Sequence, residues 1–475
     1  MSPVTYPDNE PRQCQWLRTE ARSPWASACS LEPLGQRCRA ALSGLLAVVV
    51  GAGASGRGAA RLLHTAGASV RVLERNPQPL AEPFASFVRE NTIEVLHGEH
   101  TPEQFAGAAM VVLSPGVPVR TIAPFLPTGD AAPEIMAELE LASRFIKEPV
   151  VAVTGTNGKT TTATLVADML AYAGRKVFLG GNIGTPLSDY VLDGVDGGRA
   201  DVLVLEVSSF QLQTCSTFKP WAAALLNVSD NHLDYHADMG EYLCAKLNLF
   251  VRMDEDGLAV FPESMRAVIE SQQPTRARIH YYEAKGRFHT ETLPGPHNQA
   301  NMEAAYQLVR FFGVTECEAL AVIHRFKKQP HRLEAIVETD GVLYVNDSKG
   351  TTIEAVRAAL QSYDRPILLL AGGKFKGGDL PSLAPLVRER VRHVALFGAS
   401  REKFESAWAG AAPMTWDATL EEAMRRLAAM ARAGDVVLLS PGTSSFDLYK
   451  DYLARGDDFR RVALAIAAAS EGGAA

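Results

Sequence analysis

No apolar run in this 475-residue chain approaches the roughly 20 residues that a membrane-spanning helix requires. No Cys-x-x-Cys pair occurs. Six cysteines over this length fit neither a disulfide framework nor a zinc site, and they suit a reducing cytosol. Excess positive charge is missing as well. The 47 lysines and arginines face 54 aspartates and glutamates, a net charge of −7, which argues against nucleic-acid binding as the main business of the chain. No short tandem repeat recurs. What is present is the composition of a soluble globular protein, 47% hydrophobic and 21% charged. The length suffices for about three domains at roughly 150 residues each.

The first 43 residues stand apart. They hold Cys14, Cys29 and Cys38, show no helical or strand period, and lack the continuous apolar core of a secretory signal. They read as a disordered extension, or as residues upstream of the functional start. Deleting them is expected to leave folding and turnover unchanged.

The stretch Val151 to Thr162 organises the rest. Apolar, β-branched residues run into Gly155-Thr-Asn-Gly-Lys-Thr160, and an apolar-periodic segment follows. Strand, glycine turn and helix form a phosphate cradle, because backbone N–H groups and the positive end of the helix dipole converge there. Lys159 would reach the β/γ-phosphates, and Thr160 or Thr161 would offer a hydroxyl to Mg²⁺. Val153 stands where the full pattern has another glycine.

Upstream, Leu45 to Val50 ends in Gly51-Ala-Gly53-Ala54-Ser55-Gly56, followed by a helical stretch, a second strand and Glu74. Alone this reads as a dinucleotide-binding fingerprint, although such a turn requires only close backbone approach to a ligand, often a diphosphate. Met110 to Leu113 runs into Ser114-Pro-Gly116 at the carboxyl edge of the same sheet. A helix is expected over Pro133 to Ile146. Downstream, the strand Asp201 to Glu206 ends in an acid placed to hold Mg²⁺ beside the phosphate loop. Glu241 to Phe250 reads as a helix carrying Lys246, and a lone helical lysine is usually solvated. Pro294 to Asn298 reads as a turn feeding a helix that holds Asn301. Asparagine amides suit both purine edges and helix caps. Thr351 with Glu354 reads as a capping box. Strands alternating with helices, each with a glycine turn at the strand's carboxyl end, give an α/β class throughout.

In this order the motifs resemble those of the Mur ligases, the ATP-dependent amino-acid-adding enzymes of peptidoglycan synthesis. The carriers are the shortened phosphate loop, Gly181-Asn182-Ile-Gly184, Glu206-Val-Ser-Ser-Phe-Gln211, His232-Leu-Asp234, Ala245-Lys246, His297-Asn298 with Asn301, His331-Arg332 and Asn346-Asp347-Ser-Lys349. The resemblance spans all but the extension and accounts for Val153. Within the family the compact first glycine-turn unit, Gly-Gly-x-x-Lys376 and Ser-Pro-Gly-Thr-Ser-Ser445-Phe446-Asp point to the D-glutamate-adding branch. The Asp-Asn-Pro-Arg run of the diaminopimelate-adding branch is absent. Glu74 stands where aspartate is commoner, and Gly350 and Thr352 vary the usual Asp-Ser-Lys-Ala-Thr-Asn.

The resemblance implies three consecutive α/β domains: a Rossmann-like UDP-binding domain (44–140), a central P-loop ATPase-like domain (141–328) and a Rossmann-like C-terminal domain (329–475). It implies that UDP-N-acetylmuramoyl-L-alanine lies on Gly53, Ala54, Ser55, Gly56, Glu74, Arg75, Ser114, Gly116 and Asn182. ATP would lie on Gly155, Thr156, Asn157, Gly158, Lys159, Thr160, Thr161, Asn298, Asn301, Arg332 and Asp347. D-Glutamate would lie on Lys349, Thr351, Lys376, Ser445 and Phe446. Lys159, Glu206, His232 and Lys246 would carry the chemistry. Two Mg²⁺ ions are implied, on Thr160, Glu206, His232 and Lys246, the last as a carbamate. A cytoplasmic monomer is expected. Three readings compete: another Mur ligase or a folylpolyglutamate synthase-like enzyme, an NAD-dependent oxidoreductase built on the first glycine turn, and a catalytically dead nucleotide-binding protein. The oxidoreductase leaves the phosphate loop and every later motif unexplained, and the joint presence of Lys159, Glu206, His232 and Lys246 argues against the dead protein.

Overall fold

The computed structural model describes residues 34–472, apart from 78, 81, 195–198, 230–234, 327–329 and 376–378. They form three sheets. The first holds β1 (Leu46–Val50), β2 (Ser69–Glu74), β3 (Glu94–His97), β4 (Ala108–Leu113) and β5 (Glu134–Ala137) in the order β3-β2-β1-β4-β5, all parallel. The second holds β6 (Val150–Thr154), β7 (Val177–Gly181), β8 (Val202–Glu206), β9 (Ala222–Leu225), β10 (Leu258–Pro262) and β11 (Arg278–Tyr282) in the order β11-β10-β9-β6-β8-β7. It too is parallel throughout. The third holds β12 (Glu334–Thr339), β13 (Val342–Asn346), β14 (Ile367–Gly372), β15 (Val391–Phe397), β16 (Met414–Asp417) and β17 (Val436–Leu439) in the order β12-β13-β17-β14-β15-β16. Only the edge strand β12 runs antiparallel, against β13.

The sequence explains these cores. Parallel strands buried on both faces need near-continuous apolar runs, and Val150–Val153, Val202–Leu205 and Val436–Leu439 are buried end to end. Each such side chain contributes about 1.5–3 kcal/mol when removed from water.

Ligands in open α/β sheets bind where the strand order reverses, at the carboxyl ends of the strands. In the first sheet β1 lies between β2 and β4, so the turns after β1 and β4 meet. In the second, β6 lies between β8 and β9. In the third, β17 lies between β13 and β14. The phosphate loop follows β6, the first glycine turn follows β1, and the Ser440–Ser445 loop follows β17, each at such a reversal.

The chain divides into two compact units. One takes in the described residues up to Asn227 with Gly240–Glu283 and Asn301–Val322, and so holds the first two sheets. The other takes in the described residues of Val228–Met239 and Ala284–Ala300, and those from Ile323 onward.

Several expectations need correction. Residues 133–146 are not one helix: Glu134–Ala137 is β5, and the helix is Glu138–Ser143. The apolar side chains there serve a strand edge and then a helix face, and periodicity alone does not separate the two. The division at residue 141 falls inside that helix. Asn298 is not in a turn, because the helix already begins at Pro296 and runs to Val309. The cap of the helix Ile353–Leu360 is Thr352, not Thr351: its side chain accepts from Ala355 N. The extension is not structureless to residue 43. Gln36–Leu42 is a helix, with Cys38 and Leu42 fully buried. Cys38 and Cys244 each stand in a disulfide, against the expectation of no disulfides, while Cys215 and Cys317 are free thiols.

Candidate active site

The phosphate loop follows β6. Gly155 has φ +154° and Gly158 φ +84°, backbone conformations that favour glycine. A side chain at Gly158 would also collide with Asn301, whose Oδ1 lies 2.3 Å from the position of a Cβ. Asn301 thus packs directly over the loop. The loop is further pinned from β9, since Thr156 N donates to Asn227 O (3.0 Å) and Asn157 N to Asn227 Oδ1 (2.8 Å). Gly158 caps the helix Lys159–Tyr172, which presents its N-terminal N–H groups to the loop. Thr161 is buried in its first turn.

Around this loop the side chains converge. Thr160 Oγ1 donates to Glu206 Oε2 at 2.6 Å, and Asn182 Nδ2 donates to Glu206 Oε1 at 2.8 Å. Glu206 is 3% exposed at the end of β8. Asn182 therefore stands with the phosphate-loop group, held there by its own N–H on Glu206 O (2.8 Å). Lys159 Nζ donates to Gly155 O and Thr156 O (2.9 and 2.8 Å).

Lys246 differs most from its sequence reading. It is 1% exposed rather than solvated. Its Nζ donates to Gly155 O at 2.9 Å and lies 4.3 Å over the Tyr242 ring. Tyr242 in turn shares a hydrogen bond with Thr156 (3.2 Å). Burial, with Lys159 adding to it and Glu206 opposing, holds the Lys246 amine well below the ordinary lysine range. Two amines on one carbonyl oxygen cannot both be charged cheaply. The surroundings are otherwise hard oxygens, the hydroxyl of Thr160 and the carboxylate of Glu206, which suit Mg²⁺. Among the described residues no cluster of three His, Cys, Asp or Glu side chains forms. His232 lies outside the described residues, as does Lys376.

On the first sheet, Ser114 Oγ donates to Gly51 O (3.1 Å), which ties the two turns together. A Cβ at Gly56 would stand 1.9 Å from Gly51 O. Gly53 caps the helix Ala54–Thr65, so Ala54 and Ser55 open it. Glu74 Oε2 accepts from Ala52 N (2.7 Å) and Oε1 from Asn76 N (2.9 Å). Its carboxylate braces the glycine turn itself, a contact that uses the extra methylene over aspartate. Arg75 pairs with Glu99 in solvent, and Gly116 faces open space.

The third sheet gathers the loops after β13, β14 and β17. His331 and Leu333 both take positive φ (64° and 42°), conformations that cost a side-chain-bearing residue about 1–2 kcal/mol and present Arg332 between them. The Asp347 carboxyl accepts from Ser440 Oγ (2.8 Å) and Leu333 N (3.3 Å). Burial pushes it up to about 7, with Ser440 and Arg332 pulling against. A Cβ at Gly350, where the family pattern has alanine, would meet Asp347 Oδ2 at 2.2 Å and displace that carboxylate. Lys349 Nζ lies 5.2 Å over the Tyr452 ring, a neighbour no sequence motif signalled. Thr351 N follows on Lys349 O (2.8 Å). Ser445 is buried, whereas Phe446 is 63% exposed. Asn298 Nδ2 donates to Pro294 O (2.7 Å), capping its own helix entrance. Among the described residues no helix is long and apolar enough to cross a membrane.

Comparison with known proteins follows the same three-part division. The profile of the Mur ligase MurD-like N-terminal domain matches residues 46–125, that of the Mur ligase middle domain 153–294, and that of the Mur ligase glutamate ligase domain 331–442. The chain is 57% identical over 426 residues to the UDP-N-acetylmuramoylalanine--D-glutamate ligase of Nitratidesulfovibrio vulgaris strain DP4, covering 90% of this chain and 97% of that protein. It is 50% identical to the protein of that name from Lawsonia intracellularis, covering 87% and 93%. In fold it is similar to the MurF ligase of Thermotoga maritima in complex with ADP, with TM-score 0.57, 18% identity and coverage of 86% and 96%. It is also similar in fold to E. coli FolC with DHPP and ADP, with TM-score 0.52, 16% identity and coverage of 74% and 99%.

Proposed function

This chain belongs to the Mur ligase family, and on that premise we propose that it joins D-glutamate to UDP-N-acetylmuramoyl-L-alanine at the expense of ATP. The reaction would serve the cytoplasmic stage of peptidoglycan synthesis. The observation that carries the reading is the cluster at the carboxyl ends of β6 and β8. There a glycine-turned phosphate loop, the Thr160–Glu206 pair and the buried Lys246 meet.

A carboxylate oxygen is a poor leaving group. The substrate's alanyl carboxylate attacks the γ-phosphorus of ATP, giving an acyl phosphate and ADP. The D-glutamate nitrogen, having lost its proton, then attacks the acyl carbon, and phosphate leaves with the bonding electrons. Phosphoryl transfer is chiefly positioning and charge neutralisation. In this reading Lys159 and the N–H groups at the start of its helix, from Gly158 to Thr161, hold the phosphates, with Gly155, Thr156 and Asn157 shaping the loop. Asn298, Asn301, Arg332 and Asp347 hold the rest of the nucleotide. The turns Gly53–Gly56 and Ser114–Gly116, with Glu74, Arg75 and Asn182, hold the UDP-sugar. Lys349, Thr351, Lys376, Ser445 and Phe446 receive the acceptor.

Mg²⁺ would neutralise phosphate charge, and the oxygens of Thr160 and Glu206 would hold it, with His232 and Lys246 at a second ion. The depressed Lys246 amine supports its conversion to a carbamate. A neutral nitrogen attacks CO₂, forms the N–C bond and releases one proton, replacing a cation by an anion with two oxygens. A monomer suffices for this reading, since one chain supplies every proposed residue.

The test is ADP release with UDP-N-acetylmuramoyl-L-alanine. Turnover is expected with D-glutamate and not with L-glutamate, L-lysine or diaminopimelate. Turnover with another acceptor in place of D-glutamate would move the chain to another branch of the family.

A further inference from the structure

Arg455 is absent from every motif considered so far, yet it is among the largest fully buried side chains of the protein, at 0% exposure. It stands on the helix Tyr452–Gly472. Its guanidinium touches two of the loops that meet on the third sheet. Nε donates to Ser348 Oγ (3.0 Å), and Nη2 donates to Ser348 O (2.8 Å) and Thr443 O (3.2 Å). Ser348 Oγ in turn donates to Tyr452 O (2.8 Å). The third nitrogen, Nη1, is buried and has no hydrogen-bond partner. It faces Gly373 of the third loop, where an added Cβ would stand 3.3 Å from it.

Among the described residues no carboxylate lies within ion-pair distance of Arg455. Asp447 and Asp347 act on it only from farther away. A buried guanidinium without a paired anion is costly, and its field in a water-poor surrounding reaches farther than that of a surface charge. Ser348 directly precedes Lys349, and Thr443 is two residues before Ser445. Of the two buried arginines among the described residues, Arg144 is ion-paired and Arg455 is not, and Arg455 lies behind the loops proposed to receive the acceptor.

We propose that Arg455 is a positioning and specificity residue for the acceptor, fixing the Ser348–Lys349 and Thr443–Ser445 segments and supplying the positive field that favours an amino acid with a second carboxylate. The inference rests on the proposed ligase reading and goes beyond it by assigning dianion selection to a side chain that does not itself reach solvent.

The experiment measures the KM for D-glutamate and, as a competitor, the inhibition constant of D-glutamine, its neutral amide isostere. Their ratio is the selectivity for the second charge. Arg455→Met is expected to lower that ratio about tenfold, the order of effect for one desolvated charge, with the KM for ATP within about twofold. Arg455→Lys, which keeps the charge, is expected to keep most of the ratio. A merely structural lesion would weaken both ligands alike and leave the ratio unchanged, and that result overturns the proposal. Arg455→Gln repeats the test if the methionine variant does not fold. Failure of both neutral variants to fold assigns the guanidinium to the fold alone and equally overturns it. Absence of D-glutamate turnover in the unaltered enzyme would instead sink the ligase reading.

Discussion

Lys246 shows how far a single residue's chemistry is set by its surroundings. Met239–Leu247 is a nine-residue helix, and nothing in its sequence separates Lys246 from a solvated lysine. The structure turns it inward against Gly155 O and Tyr242. This burial changes what a substitution does. Alanine would leave a cavity costing about 2–5 kcal/mol, as large-to-small core changes do, so Lys246→Ala is not expected to be benign to the fold. Lys246→Met keeps the length without the amine. It should fold near normally by thermal melting and lose at least about a hundredfold in turnover, the scale for an electrostatic group lost from a reacting centre. Short carboxylic acids should restore part of the rate in the alanine variant, and the unaltered enzyme should gain activity with added CO₂ in degassed buffer. Near-normal turnover of Lys246→Met would make this lysine a structural residue and nothing more.

At the scale of elements, the strands next to the motifs were readable because buried parallel strands are continuous apolar runs. Val150–Thr154, Val202–Glu206 and Val436–Leu439 fall within a residue or two of their expected places. Three of the elements that the sequence reading missed have mixed composition, although the apolar strand β10 was missed as well. β12 is a half-exposed edge strand, β16 is short and half-buried, and β5 runs directly into a helix. The helix Gln36–Leu42 belongs with these. It is too short to show a period, yet Leu42 and Cys38 are sealed in the first unit, and Arg39 packs on Gly67. A truncation starting at residue 44 should therefore melt lower than one starting at residue 34, by an amount reflecting roughly 2–4 kcal/mol for the apolar side chains re-exposed. Equal melting temperatures for the two truncations would show that this helix contributes nothing to the fold.

Over the whole molecule, the first two sheets are joined by charged groups that no motif marks. Glu140 receives the N–H groups of Ser216, Thr217 and Phe218 and pairs with Arg144, all within the first unit. Glu138 beside it accepts from Ser188 N (2.6 Å), but its Oε2 is buried without a partner. Burial pushes its carboxyl from 4.5 up to about 7. The folded protein thus binds a proton that the unfolded chain has already released, and stability falls as pH rises between those two values. Glu138→Gln, neutral at every pH, should match the unaltered protein near about pH 4–5 and exceed it by about 1–3 kcal/mol near about pH 8. Denaturant melts at the two pH values check this. An unchanged pH slope would exclude Glu138 as its source.

What the sequence by itself determined is the order of chemistry along the chain. Glycines that permit a turn, a lysine and a threonine after them, and an acid closing the next buried strand are local patterns, and local sterics fix what they become. The α/β class and the family followed from that order. Only the tertiary structure decided which atoms meet. It laid Asn301 over Gly158, turned Glu74 back onto the glycine turn, buried Lys246 beside Lys159, and set Arg455 behind Ser348 and Thr443. These contacts join residues from 12 to 143 positions apart. Burial, and the protonation it imposes, is a sum over such distant neighbours, and no window of sequence contains it.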